Sequence, residues 1–576
     1  MQGVPALLER SRVLAAGRLE RVLVVLATLA ALAVGVGVVA ARPAAAGQAA
    51  VPTLVVAPAA VARFSDDFNP FAASTPAVRS GITSYIYEPL IEYDGAQVDQ
   101  YYPWLAAGWS FSSTGQTVTF AIRSGVRWAD GSPLVAADAA YTYNLVKQYP
   151  SLAPGLPVVS ATATGPLTFA LTLSSPAYTH LEQIASVPIV KAGYGRGSVQ
   201  GFVDRHPDGT GPYELARGGF SSHRVVLSAR AGYWQKGAPA IGRLVFPAFS
   251  SVARLRSALV SGTLDWAGTF MPDVASKFAA HDLADNHYWL TPRSTVALDL
   301  NLERAPTASL AVRSAISAAL DRRQVSVAVS GGNDPPATSA SGLVMPMGAG
   351  LLDRAAATDL APGADLAAAG HALVSAGYHL GPKGLWVDRS GAPLQLSLVA
   401  QAGTGLATAG RAVTTQLRSA GFAASFRALD GSAWRRALAG GYFDAAVVEG
   451  APGPDPYPMY EQWLDPALLH GPVASGGDYG RLGPTTLPSA ARTVSRALAA
   501  LASSPPGSPG AASAVRSIAA VVSSQRLVVP IMYTVAWGEF STRHATGWPG
   551  NEDPYEPASP AAPFAEYTVL QLSPAG

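Results

Sequence analysis

Catalysis needs particular side chains at particular spacings, and this chain offers few of them. Its nine histidines are scattered, with no H-E-x-x-H or H-x-H pattern to set two imidazoles on one metal ion. Cysteine is absent, which removes thiolate nucleophiles, disulfides and cysteine-bound zinc or iron–sulfur sites. There is no G-x-S-x-G elbow. Gly209-Thr210-Gly211-Pro212 has the glycines of a phosphate loop without the Lys-Ser/Thr that must follow. Gly403 and Gly405 begin a dinucleotide fingerprint, but Thr408 stands where its third glycine belongs. No two carboxylates are set apart by spacing as acid and base. The expectation is a protein that is not an enzyme, with no catalytic residues, no metal site and no cofactor.

Charge excludes a further class. The 40 basic and 38 acidic residues leave a net charge of +2, and no basic stripe exists to neutralise phosphates, so nucleic acid is not an expected partner. The 576 residues exceed one compact core. Hydrophobic residues make up 49% and charged residues 14%, but much of the apolar excess is alanine, which buries little surface. One segment is long enough to span a bilayer. Arg10, Arg12, Arg18 and Arg21 precede an uncharged run from Val22 to Ala41, the arrangement that orients insertion with the N-terminus inside. Ala44 and Ala46 then offer a small-x-small cleavage site. Residues 1–47 therefore read as a cleaved signal peptide or an uncleaved anchor; both put the remainder outside the cytoplasm, at the cell surface or in a periplasm.

The elements that would position any site are short strands and helices in alternation. Thr117–Ile122 and Leu167–Leu173 alternate as strands. Helices are expected over Pro133–Val146, over Leu310–Val329 with Val312, Ile316, Leu320 and Val325 near one face, over Asp365–Ala376 ended by Gly377, and over Arg411–Ala420 ended by Gly421. Residues 47–62 read as a linker or entering strand. Ser503–Ser508 is a surface loop between two alanine-rich helices. Such a pattern argues for an α/β or α+β chain with sheets covered by helices.

Five segments then occur in a telling order. They are Asp67-Phe68-Asn69-Pro70-Phe71 with Tyr87-Glu88-Pro89-Leu90-Ile91; Trp104–Trp109 with Arg123–Leu134 and Ala137-Asp138; Gly209–Leu215 with Tyr233-Trp234; Leu298–Leu302 with Val312-Arg313 and Ala318–Arg322; and Ala368–Tyr378. This set resembles the family 5 extracellular solute-binding proteins of ABC transporters, which include oligopeptide and dipeptide binders. The resemblance implies an α/β, periplasmic-binding-protein-like type II (class C) fold of two lobes with an extra inserted domain. On that scheme lobe I is 50–95, 210–297 and 525–576, the inserted domain is 96–209, and lobe II is 298–524.

The resemblance also implies a ligand cleft. Val447–Tyr457 occupies the position of the family's "W-x-x-D-Y-x-D-P" loop, whose first Asp pairs with a peptide α-amino group. Here that position is Pro452, and the aromatic position is Glu449; Asp455-Pro456 is retained. Either Glu449 supplies the anion from a shifted place or the ligand has no free amine there. The candidate ligand-binding residues are Glu449, Asp455, Tyr457, Tyr533, Trp537, Trp434, Tyr85, Ser74 and Thr75, with Trp548 as a further aromatic wall. The implied function is capture of a peptide or similar small ligand by hinge closure, as a monomer that presents it to the permease subunits of an ABC importer. The rival reading is a membrane-tethered, non-transport scaffold or regulatory protein that reuses the fold.

Overall fold

Alternating apolar residues make the strands, and two of these alternating stretches are unusually long. The computed structural model describes residues 51–353, 356, 358–468, 477 and 479–576; the expected signal or anchor at 1–47 lies outside them. Strand β1 (Thr53–Ala57) is followed by β2 (Ala106–Phe111), β3 (Thr117–Ile122), β4 (Val158–Gly165) and β5 (Thr168–Leu173), which form a sheet of their own in the order β2-β3-β5-β4. The chain then returns with β6 (Tyr213–Ser221), β7 (Arg224–Ala229), β8 (Arg243–Pro247), β9 (Trp266–Ala267) and β10 (Asn286–Leu300). It continues through β11 (Gln395–Gln401), β12 (Ala423–Leu429), β13 (Ala445–Glu449) and β14 (Val528–Ser541). With β1 these nine build a ten-stranded mixed sheet, ordered β12-β11-β13-β10-β14-β9-β1-β8-β7-β6.

The centre of that sheet is the antiparallel pair β10 and β14, paired from Asn286↔Ser541 to Asp299↔Val528 with two shifts of register on the way. At 15 and 14 residues they extend about 45–50 Å, enough to belong to two cores. Trp289 and Phe540, at one end, are buried with Leu54, Tyr213 and Trp266. Val296, Leu298, Val529 and Ile531, at the other, are buried with Ile316, Leu373, Leu417 and Val447. Burial of each such side chain contributes roughly 1.5–3 kcal/mol. The four-stranded sheet carries a third cluster, around Phe120, Trp128, Tyr143 and Phe169.

Helices cover these sheets: α1 (Ala136–Gln148), α2 (Leu310–Ala318), α3 (Arg322–Ser330), α4 (Leu366–Ser375), α5 (Gly405–Ser419), α6 (Gly431–Gly440), α7 (Pro456–Leu464), α8 (Pro488–Ala502) and α9 (Pro509–Gln525). Three differ from the sequence reading. Helix α1 begins at Ala136, not Pro133, because Pro133 bridges to Arg127 and the Asp138 carboxylate accepts from the Val135 amide at 3.0 Å. The single helix expected over 310–329 is two, α2 and α3. Asp321 is extended between them and its carboxylate accepts from the Gln324 amide at 3.0 Å, an N-cap that restarts the helix. Helix α5 starts at Gly405, six residues before Arg411; the glycine disguised its first turn. Helix α4 is capped by Asp365 and followed by Gly377 at φ +89, a conformation glycine adopts without Cβ strain. Among the described residues no helix is long and apolar enough to cross a membrane.

The segments that were legible in the sequence meet as scaffold. Glu88 is fully buried, and its Oε1 accepts from Trp104 Nε1 at 2.8 Å, Tyr233 Oη at 2.6 Å and Trp234 Nε1 at 3.1 Å. The Arg123 guanidinium lies 4.5 Å from the Trp234 ring. Three of the five motif segments thus converge on one carboxylate, which burial pushes up to about 7 against the pull of these donors. Arg313 and Arg322 do the same elsewhere. Arg313 donates to the carbonyls of Gln525, Thr307 and Ala308 at 2.9, 2.9 and 2.7 Å. Arg322 donates to Pro530 O at 2.8 Å and to Ser317 Oγ at 3.1 Å. Burial lowers both to about 10, where they remain charged at neutral pH.

Candidate functional site

The site is built where the β10–β14 pair is interrupted. Pro292 has no N–H to donate, and the ladder shifts between Pro292 and Ser294 and again between Val296 and Ala297. The loop after β13 is fastened to this irregular stretch. The Gly450 amide donates to Thr295 O and the Gly453 amide to Arg293 O, each at 2.9 Å, and Ser294 Oγ donates to Gly450 O at 2.6 Å. Pro452 and Gly453 therefore stand directly beside the strand crossing.

Two cavities meet there, with Arg293 in the wall of both. One, of 450 Å³, is lined by Tyr93, Glu182, Arg293, Pro452, Gly453 and Ser559, among others. The second, of 630 Å³, is lined by Phe270, Arg293, Asp334, Glu449, Thr534 and Trp537, among others. Both volumes suit a small ligand. A third cavity, of 220 Å³, has Asp99, Asp455, Tyr457 and Gly507 in its wall. Beside it the Gly507 amide donates to Asp99 Oδ2 at 2.9 Å, a contact that links residues 408 apart in sequence.

The nine sequence candidates are not brought together. Glu449 and Trp537 share the 630 Å³ cavity. Glu449 Oε1 accepts from Thr534 Oγ1 at 2.8 Å. Trp537 packs edge-on against Phe270, centroids 5.2 Å apart. Asp455 and Tyr457 share the 220 Å³ cavity, where Asp455 caps α7 by accepting from the Tyr457 amide at 3.0 Å, and Tyr457 Oη donates to Glu461 at 2.9 Å. The other five line none of the three. Tyr85 is fully buried, donates to Pro560 O at 3.2 Å and packs edge-on against Tyr213. Tyr533 is 1% exposed against Ala337 and Val344, and its hydroxyl accepts from the Thr338 amide at 3.1 Å. Trp434 is buried with Val399, Phe443 and Val448. Ser74 is exposed, and Thr75 caps the short helix Pro76–Arg79. For Tyr85, Tyr533 and Trp434 apolar packing accounts for the residue type, and for Thr75 capping does. Trp548 stacks on Phe540 with centroids 4.9 Å apart.

Conversely, Tyr93, Glu182, Arg293 and Asp334 line the cavities without having been singled out in the sequence. Glu182 sits on a five-residue helix, Leu181–Ala185, in no motif. Arg293 carried the one available signal, a cation placed immediately after a proline within a strand. Burial raises Glu182, opposed by the hydrogen bond from Tyr93 Oη at 3.0 Å. Burial also raises Asp455 to about 7, with Glu182 and Asp99 adding to the shift by repulsion. Asp334 rises for the same first reason, and Glu449 adds to it. Asp334 and Glu449 lie in the wall of the 630 Å³ cavity and Glu182 in that of the 450 Å³ one, with Arg293 in both. Among the described residues no cluster of three or more His, Asp or Glu is arranged to hold a metal ion.

Residues 100–468 match the model of bacterial extracellular solute-binding proteins, family 5 Middle. The chain is 28% identical over 257 residues to the nickel-binding periplasmic protein of Escherichia coli (strain K12), covering 42% of this chain and 47% of that one. It is 26% identical over 264 residues to a glutathione-binding protein of Salmonella typhi, covering 42% and 47%. The matched stretches thus span about half the length of these curated relatives. Among solved structures, the periplasmic oligopeptide-binding protein of an oligopeptide ABC transporter from Thermotoga maritima superposes with a TM-score of 0.74 at 21% identity, covering 91% of this chain and 99% of that one. The fold is therefore the type II periplasmic-binding-protein arrangement.

Proposed function

This chain belongs to the bacterial extracellular solute-binding proteins, family 5, and from that membership we propose that it is the extracytoplasmic solute-binding component of an ABC importer. It takes a peptide or similar small ligand into the cavities at the β10–β14 crossing and performs no chemistry on it. Lobe I is 50–95, 210–297 and 525–576, the inserted domain 96–209, and lobe II 298–524. In support of this division, Trp128 and Phe169, Trp289 and Phe540, and Ile316 and Val447 fall in three separate buried clusters. The protein works as a monomer, carried out of the cytoplasm by residues 1–47, and its partners are the permease subunits, not nucleic acid.

The observation that carries this reading is the pair of long strands, each running from one core into the other, with 450 and 630 Å³ of space where their ladder breaks. Two connecting strands let two halves move as rigid bodies, and closure removes a ligand from water. Affinity then comes from apolar burial and satisfied hydrogen bonds, with water filling the remaining space. Native mass spectrometry of gently purified protein tests it. A small-molecule adduct that is lost on unfolding and regained when the extract is returned to refolded protein is expected. Bare protein that takes up nothing from peptide, chelate or sugar mixtures would remove the reading.

A further inference from the structure

Two opposite charges line the 450 Å³ cavity, and neither forms an ion pair among the described residues. Glu182 accepts one side-chain hydrogen bond among the described residues, from Tyr93 Oη at 3.0 Å, although a carboxylate has about four acceptor positions. The Arg293 side chain, with its five donors, makes no hydrogen bond and no ion pair within the described part of the molecule, and its carbonyl is held by the Gly453 amide at 2.9 Å. The two share a wall and yet form no ion pair. The loop opposite cannot answer Glu182. Pro452 has no N–H, the Gly453 amide is already spent on Arg293, and a Cβ on Gly453 (φ +108) would sit 3.6 Å from both Glu182 carboxylate oxygens. Backbone without a side chain thus approaches the acid closely and leaves it unpaired.

From this geometry we infer that Glu182 and Arg293 are a split pair for a ligand that carries both charges, with an ammonium group at Glu182 and a carboxylate at Arg293. The inference rests on the solute-binding reading and adds the polarity of the guest and the two residues that read it. Glu449 and Asp455, the acids offered by the sequence, have other work: Glu449 takes the Thr534 hydroxyl and Asp455 caps α7. Tyr93 is a positioning residue, since its hydroxyl fixes the Glu182 oxygen it donates to. A ligand ammonium supplies the donors Glu182 lacks, and the Arg293 fork accommodates a carboxylate in bidentate fashion.

The test uses a mixed tripeptide library, the same library N-acetylated, the same library C-amidated, and a neutral oligosaccharide mixture, each presented to the full mature protein and read by native mass spectrometry and titration calorimetry. Free tripeptides should bind best. Acetylation should weaken wild type about 10- to 100-fold and Glu182→Gln hardly further; amidation should behave likewise with Arg293→Gln. The capped libraries need no variant, so a misfolded mutant leaves the result standing. Equal binding of free and capped libraries, or preference for the oligosaccharide, would overturn the split pair while retaining a solute-binding protein. Binding of nothing at all would overturn both.

Discussion

Arg322 and Arg293 have the same side chain in opposite circumstances. Arg322 is 2% exposed, and its donors go to Pro530 O, Ser317 O, Ser317 Oγ and Ala361 O at 2.8 to 3.3 Å. Arg293 lies exposed at the strand crossing, on the wall of two cavities, and donates to no protein group among the described residues. A buried charge with its donors filled fixes one arrangement of the chain. A charge left open in a cavity adds nothing to that arrangement and is free for a guest. The same contrast separates Glu88, which accepts from three aromatic side chains, from Glu182, which accepts from one.

The sharpest way to break the contrast is to remove both arginines. Arg322→Met strands four acceptors in a dry core and should cost about 3 kcal/mol or more, visible as a large drop in the urea midpoint. Arg293→Met should stay within about 0.5 kcal/mol of wild type and lose ligand instead. Equal destabilisation by the two would erase the distinction between framework and site.

That contrast also explains what was legible in the sequence. The motif segments are recognisable because their residues have fixed partners: Glu88, Trp104 and Tyr233-Trp234 form one knot, and Arg313 and Arg322 each hold carbonyls across long sequence separations. The fold followed from them. The cavity walls did not, because open groups have no partner to impose a pattern. Glu182 lies on a helix too short for periodicity, and Tyr93 was one tyrosine among 21. Aromatic side chains are hard to sort for the converse reason: Tyr85, Trp434 and Tyr533 are buried in cores, and sequence does not distinguish bulk for packing from walls of a cleft.

A second, smaller effect concerns pH. Glu88 and Glu566 are raised by burial to about 7 and about 8, and Glu92 and Glu556 are raised for the same first cause. The unfolded chain releases these protons near pH 4.5 while the folded chain retains them. Their contribution to stability is therefore whole below about pH 4.5 and is lost as pH rises through 7 to 8. Differential scanning calorimetry should show a higher Tm at pH 5 than at pH 8. Glu566→Gln should raise the Tm at pH 8 by about 1–3 °C and flatten the profile; a Tm rising toward pH 8 would count against the buried acids.

The smallest effect is expected at the bridge between Asp99 and Gly507. One hydrogen bond of this kind contributes about 1 kcal/mol, so Asp99→Ala should speed release of co-purified ligand roughly 5-fold, measured by dilution and rapid filtration. Unchanged release would mean that this contact plays no part in closure.

Closure itself is the claim on which the rest depends, and small-angle X-ray scattering addresses it directly. Protein stripped of cargo by unfolding and refolding is compared with the same sample after the cargo is returned. With cargo bound, the radius of gyration should be smaller and the maximum dimension shorter. Superimposable profiles, with binding proved in the same tube, would contradict it.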